Sequence, residues 1–310
     1  MAYRLERSES VVSGLKRVVR DEIDSANAHV AGDKKVSRDE AIHEARKSIK
    51  KVRALLRLMR TELGPTYAQE NNRLRDIAHK LSEFRDAFAI IATFDDLKKK
   101  YNTEGGTGLK SVRAGLTKKR NAAAKTEDVD IVLQAASKAL AKAAKRVKAW
   151  PLETDGYSAL GPGLEGTYRA GRKALTRVHK DPHADNFHDL RKRVKDHWYH
   201  VRLLENIWTD MMSAYEKSLK DLETWLGNDH NLAVLRERIV AEPDLYGKQR
   251  DIDLLLDLID KYQRELRDKS LALADRVYDE KPRELTRRMS HLWDTWRQEP
   301  IDLEDSPTAA

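Results

Sequence analysis

Apolar residues recur every three or four positions along most of this chain, which is the pattern of amphipathic α-helices. The pattern is clear over 41–60, where the apolar residues are Ile42, Ala45, Ile49, Val52, Leu55, Leu56 and Met59. The same spacing predicts further helices over about 8–31, 66–100, 109–124, 127–150, 164–179, 182–208, 210–225, 228–240, 249–277 and 282–297. The sequence therefore predicts an all-α fold, in which 66–100 forms either one helix or two.

Local signals set several helix ends. Ser37 and Glu40 have the spacing of a capping box, in which each side chain bonds the other residue's backbone amide. Gly64 followed by Pro65 is a helix stop, because proline cannot continue a helix. We also expect Gly227 to break the helical pattern between 210–225 and 228–240.

The density of glycine and proline over 151–166 indicates a boundary between two halves. We accordingly divide the chain into a first helical-bundle half, 1–155, and a second, 156–298. Residues 1–6 are expected to be loosely held, and the acidic stretch 299–310 is expected to be a disordered tail.

The stretch 41–60 returns, loosely, at 186–205. A constant offset of 145 residues pairs the polar residues of the two copies, which indicates an internal repeat. The matched pairs are His43 with His188, Arg46 with Arg191, Lys47 with Lys192, Lys50 with Lys195, and Arg57 with Arg202.

These matched residues lie on one face of each predicted helix. At about 100° per residue they form a stripe about 100° wide, opposite the apolar face. The first stripe contains no carboxylate after His43, and Glu44 lies at its edge. Cations in such a row repel each other unless an anion lies among them, and a ladder of phosphates suits this arrangement. Arginine offers a planar fork of donors to phosphate oxygens, and lysine adds a point charge.

The histidine at the head of each stripe has several possible roles. It could donate a hydrogen bond to a phosphate, bind a metal, accept a phosphoryl group, or be a polar residue satisfied at a helix junction. A metal site needs two or three further ligands, and the first copy offers none. We therefore expect neither a metal nor a cofactor.

The paired HxxRxxxK helices resemble the conserved histidine α-helical domain, or CHAD, family over roughly residues 6–296. Three further segments are similar to those of the family: Tyr168-Arg-Ala-Gly-Arg-Lys, Leu81-Ser-Glu-Phe-Arg-Asp, and Leu226-Gly-Asn-Asp-His-Asn-Leu-Ala-Val. The resemblance implies two four-helix-bundle lobes related by a pseudo-twofold, with a basic cleft or pore between them. It also implies non-catalytic binding of inorganic polyphosphate, with targeting to polyphosphate granules as a further expectation.

One departure weakens the second stripe, because Asp196, His197 and Trp198 stand where the first copy carries the cations Lys51 and Arg53. The polyphosphate-binding residues expected from the stripes and the resemblance are His43, Arg46, Lys47, Lys50, Arg53, Arg57, Arg85, Arg169, Arg172, His188, Arg191, Lys192, Lys195, Tyr199 and Arg202.

Composition agrees with this interpretation. The 310 residues are 40% hydrophobic but only 6% aromatic, and their formal net charge of +8 implies acidic partners. The absence of cysteine excludes disulfides and thiolate chemistry. Because no apolar signal core and no run of about 18 apolar residues occurs, we expect a cytoplasmic protein that does not enter a membrane.

Two other functions stay open from the sequence. A nucleic-acid-binding helical module would need aromatic rings among the cations for bases to stack on, and Tyr199 alone is a poor platform. A histidine-dependent phosphohydrolase or phosphotransfer protein would act through His43 or His188. Since no P-loop, GxSxG or HExxH pattern is present, an enzyme is the weaker hypothesis.

Overall fold

The structure of the protein is a computed structural model, which describes residues 3–101, 109–124 and 128–300. For residues 83–89, 122–124 and 128 it describes the backbone alone. Within these ranges the chain is helical and has no strand, so the predicted all-α class is confirmed. The helices are α1 Val11–Val30, α2 Arg38–Leu58, α3 Arg60–Leu63, α4 Pro65–Lys100, α5 Leu109–Ala124, α6 Asp128–Arg146, α7 Gly161–Lys180, α8 Ala184–Leu203, α9 Thr209–Ala241, α10 Gln249–Val277 and α11 Pro282–Gln298. Short 3₁₀ turns lie at Val147–Ala149, Tyr157–Ala159, Glu205–Ile207 and Pro243–Leu245.

The start of α2 and the end of α3 follow the sequence signals. The hydroxyl of Ser37 accepts a hydrogen bond from the Glu40 amide at 3.3 Å, as a helix N-cap does. Gly64 adopts φ +50°, a left-handed conformation that favours glycine, and Pro65 then opens α4. The stretch that could be one helix or two is the single helix α4.

The predicted break at Gly227 is wrong, because α9 runs through it without interruption. A Cβ placed on Gly227 would lie 3.4 Å from the Arg191 guanidinium of α8, at the edge of ordinary van der Waals contact, so the glycine lies beside Arg191 within an unbroken helix.

Two clusters of buried apolar side chains hold the helices together, and each contains residues from both sequence halves. The larger includes the apolar faces of α1, α2, α7 and α8, for example Leu15, Leu55 and Leu190. The smaller cluster joins the C-terminal ends of α4 and α9 to α5 and α10, through residues such as Phe94 and Leu235. The internal repeat and the division at residue 155 stay predictions.

The helices that carry the two similar sequence stretches, α2 and α8, pack directly on each other. His200 of α8 is buried and donates a hydrogen bond from Nε2 to the Ala54 carbonyl of α2 at 2.8 Å. Beside this bond, Arg57 of α2 pairs with Asp196 of α8 at 3.2 Å. This crossing fixes how the two basic stripes are placed relative to each other.

The start of the chain is better held than the sequence suggests. Tyr3 and Leu5 are buried, and the Leu5 amide donates to the Leu203 carbonyl at 3.0 Å. The expected disordered tail lies outside the described residues from 301 onward. None of the described helices has the length and apolar character to span a bilayer.

Candidate functional site

The two stripes meet where α2, α4, α8 and α9 come together. On α2, Arg46 donates a hydrogen bond from Nη1 to the Ala78 carbonyl of α4. On α8, the matching Arg191 lies 3.3 Å from a carboxylate oxygen of Glu223 on α9. Ala78 and Glu223 are also 145 residues apart, so the two arginines contact matched positions. The partner of Arg46 is a neutral backbone carbonyl, whereas the partner of Arg191 is a charged carboxylate.

Glu223 is the carboxylate at the centre of this region, with only 12% of its side chain exposed. Lys195 also contacts it, with Nζ 2.7 Å from the same oxygen. Burial raises the pKa of Glu223, but Lys195, Arg191 and Lys50 together lower it below its ordinary value. The carboxylate is therefore ionised at neutral pH, and the field of Lys50 shows that α2 contributes to the same cluster.

Two imidazoles lie beside these cations. The rings of His188 and His230 stack with their centroids 4.0 Å apart and an interplanar angle of 30°. Burial lowers the pKa of His230 to about 4, with further lowering by His188, Arg191, Lys50 and Lys192. Burial likewise lowers the pKa of His188, helped by Lys192 and Arg191 and opposed by Asp189 and Asp185.

Both rings are consequently neutral at pH 7, and each can donate one hydrogen bond. The Nδ1 atom of His188 is buried and has no hydrogen-bond partner among the described residues. We call the group formed by Lys50, Arg191, Lys195, Glu223, His188 and His230 the basic cluster.

Other stripe residues border the cluster and are more exposed. The side chains of His43, Lys47 and Lys192 are about half exposed. Lys47 pairs with Glu44, and Lys192 lies 3.4 Å from Asp189. These exposed pairs are weak in water and can exchange for contacts to another anion.

Arg53 and Arg57 lie further along α2, at its crossing with α8. Arg53 donates to the Asn71 side chain at 3.0 Å, and burial lowers its pKa to about 10, with Arg57 adding to the effect. Arg57, together with Arg60, Arg193 and Asp196, lines a cleft of about 220 Å³. Arg57 forms an ion pair with the buried Asp196, and its positive charge offsets the charge of that carboxylate.

The structure removes Tyr199 from the candidate site. Its ring is 1% exposed, stacks on Trp198 and packs near Tyr3, so it cannot contact a ligand. The sequence placed it on the stripe because its angle on the helix is correct. Residues before Val11 cover that part of α8, which helix periodicity does not reveal.

Three more predicted residues do not join the basic cluster through any described contact. Arg169 pairs with Glu165 on its own helix, α7. Arg172 donates to the carbonyls of Asp279 and Glu280, which ties α7 to the turn before α11. Arg202 lies 3.8 Å from Glu216 of α9. The side chain of Arg85 lies outside the described residues.

Sequence reasoning missed His230 and Glu223 as members of the site. His230 stands in the segment that matches 81–89 under the offset of 145, opposite Arg85. That alignment was a usable signal for His230. Glu223 had none, because its counterpart is Ala78 and no motif contains it.

Comparison with known proteins agrees with the fold and motifs. A family model for the CHAD domain matches residues 17–240. The crystal structure of the CHAD domain from the plant Ricinus communis is similar, with a TM-score of 0.67 at 14% sequence identity. The similarity covers 90% of this chain and 95% of that chain, and at this identity it shows a shared fold. A search of curated proteins finds no match. Because the family model spans well over half of the 310 residues, the chain belongs to the CHAD domain family.

Proposed function

We propose that this protein binds inorganic polyphosphate at the basic cluster and along the neighbouring stripes of α2 and α8, without altering it chemically. One observation carries the proposal. Three cations from two repeated helices, Lys50, Arg191 and Lys195, surround a single carboxylate beside two neutral imidazoles. The cluster thus holds an excess of positive charge in a partly buried place.

Partial burial makes this charge effective. Attraction between opposite charges is several times stronger near a protein surface than in bulk water, because the effective dielectric constant is lower. Arg191 and Lys195 keep only 22% and 20% of their side chains exposed. A phosphate that reaches them forms charge-assisted hydrogen bonds, and its binding releases counterions.

The exposed cations Lys47 and Lys192 extend the positive surface outward from the cluster. A polymer with one charge per phosphate can contact the cluster and these residues together. A single phosphate cannot, so the arrangement favours a chain over a monomer. Binding of this kind is sufficient to hold the protein on a polyphosphate granule.

A nucleic-acid ligand is disfavoured by the position of the aromatic rings. Single strands gain affinity when bases stack on exposed rings between cations. Tyr199, the ring that the sequence placed on the stripe, lies in the core. Phosphates without bases need no such platform.

Thermal unfolding with and without long-chain polyphosphate tests the proposal. A ligand at 100 times its dissociation constant stabilises the native state by about 2.7 kcal/mol, so the melting temperature should rise by several degrees. The Arg46→Ala/Arg191→Ala variant should lose most of this rise. Arg20→Ala/Arg236→Ala removes the same charge from exposed pairs elsewhere, and should keep it. An equal rise in all three proteins, or no rise in the wild type, would contradict the proposal.

A further inference from the structure

Among the differences between the two halves of the proposed site, one changes the partner of a matched arginine. The arginine of the first half, Arg46, meets a backbone carbonyl at Ala78. The arginine of the second half, Arg191, meets the carboxylate of Glu223. A carbonyl satisfies a guanidinium donor without cancelling its charge, whereas a carboxylate cancels a full unit of it.

We infer that Glu223 is an internal competitor for the phosphate polymer, which occupies Arg191 and Lys195 of the second stripe until a phosphate displaces it. The inference rests on the proposed function and adds the residue that regulates it. It predicts that Arg191 and Lys195 are partly neutralised until a phosphate displaces Glu223.

The contacts of Glu223 support competition. One oxygen, Oε1, faces both Arg191 and Lys195, at 3.3 and 2.7 Å. This is the arrangement in which a phosphate oxygen would bridge the same two cations. Burial does not neutralise the acid, because the surrounding cations lower its pKa. At neutral pH an incoming phosphate therefore meets a fixed negative charge on the residues that it needs.

Displacement has two unfavourable consequences for binding. The polymer must first break ion pairs that are already formed and largely shielded from water. Glu223 must then stay beside an anionic ligand, or turn away and lose its partners. Both consequences lower the affinity of the second stripe, and both disappear when the charge at residue 223 is removed.

The alternative role for Glu223 is to hold Arg191 and Lys195 in position for the ligand. The two roles predict opposite results. Glu223→Gln keeps the shape and one hydrogen-bond acceptor but removes the charge. If Glu223 competes, this variant binds polyphosphate more tightly, and if it positions the cations, the variant binds more weakly.

The experiment is a calorimetric titration of long-chain polyphosphate into the wild type and Glu223→Gln at several salt concentrations. We expect the variant to bind about tenfold more tightly, the factor that corresponds to about 1.4 kcal/mol. The slope of log affinity against log salt should steepen by about one, because about one more cation is released to the ligand. Glu237→Gln changes the net charge equally on an exposed residue of α9, and should leave both quantities within about twofold of wild type.

A second variant tests whether the charge, rather than the substitution itself, is responsible. Glu223→Asp keeps a carboxylate at residue 223 and should not share the tenfold gain of Glu223→Gln. Melting curves of all variants establish that they are folded before titration.

The outcomes separate the inference from the function on which it rests. Tighter binding by Glu223→Gln that Glu223→Asp does not share supports the inference. Wild-type binding that Glu223→Gln leaves unchanged or weakens, or a gain that Glu223→Asp shares in full, overturns the inference and leaves the function standing. Absence of binding in the wild type and in Glu223→Gln overturns both.

Discussion

The ion pair between Arg57 and Asp196 allows a quantitative test of how α2 and α8 are joined. Asp196 is 8% exposed and sits on α8, where the first copy has Lys51. Arg57 reaches it from α2 at 3.2 Å. Replacing Arg57 by alanine should leave a buried carboxylate without its closest cation, which is destabilising.

The size of the effect follows from the burial of the pair. Breaking a fully buried ion pair by removing one partner costs about 3–5 kcal/mol. Arg57 keeps 25% of its side chain exposed, and Arg193, Arg53 and Lys195 still act on Asp196. We therefore expect Arg57→Ala to lower the free energy of unfolding by about 2 kcal/mol. For a chain of this length that corresponds to a fall in melting temperature of about 3 °C.

The loss of stability in Arg57→Ala should be larger at high pH than at low pH. Burial raises the pKa of Asp196, and Arg57 is the largest influence that lowers it. An acid with a raised native pKa binds more protons when folded, so stability falls as pH rises from the unfolded value toward the native one. Removing Arg57 raises the native pKa further, and the deficit of the variant should be larger at pH 8 than at pH 5.

Chemical denaturation at pH 5 and pH 8 provides the assay. Arg57→Ala/Asp196→Asn should recover most of the lost stability, because the buried charge is gone. Arg60→Ala is the matched control; Arg60 lies over the Tyr67 ring and should cost no more than about 1 kcal/mol. A deficit that is equal at both pH values, or that the asparagine does not reduce, would refute this reasoning.

Two further predictions concern helix packing and proton linkage. Gly163→Ala places a Cβ 1.8 Å from the Leu58 carbonyl, so α7 must move away from α2, and thermal unfolding should show a loss of stability above about 3 kcal/mol. Gly166→Ala is the control: with nothing within 4 Å of its Cβ, it should leave stability unchanged or raise it by up to about 1 kcal/mol. Equal melting temperatures of the two variants would contradict this packing. Polyphosphate that contacts the histidine pair should raise the pKa of His230 from about 4, so binding should take up protons and tighten as the pH falls toward that value. Titrations near pH 5 in buffers of different ionisation enthalpy measure this uptake, and its absence would oppose contact with the histidine pair.

Much of the fold follows from the sequence because helix signals are local. The capping residue Ser37 and the pair Gly64 and Pro65 act within one or two turns, and they gave the correct start of α2 and α4. Gly227 misled because a single glycine weakens a helix only slightly, and α9 continues through it. Tertiary packing overrides an intrinsic helix propensity of about 1 kcal/mol.

The sequence predicts only part of the site, because helix periodicity does not show which residues of other helices lie opposite a stripe. Helix periodicity places Arg46, Lys50, Arg191 and Lys195 on their stripes, but it says nothing of what faces them. Glu223 reaches the cluster from α9, and the residues that cover Tyr199 come from the start of the chain. These neighbours meet because segments far apart in the sequence pack together. The spacing of residues within one helix does not predict such contacts.

The most direct test of the account is a calorimetric titration of long-chain polyphosphate at two salt concentrations, with single-stranded RNA as competitor. The wild type would be compared with Arg46→Ala/Arg191→Ala. We expect salt-sensitive binding of polyphosphate by the wild type, loss of that binding in the double variant, and poor competition by RNA. RNA binding as tight as that of polyphosphate, or full affinity in the double variant, would contradict the claim that these two helices form a polyphosphate site.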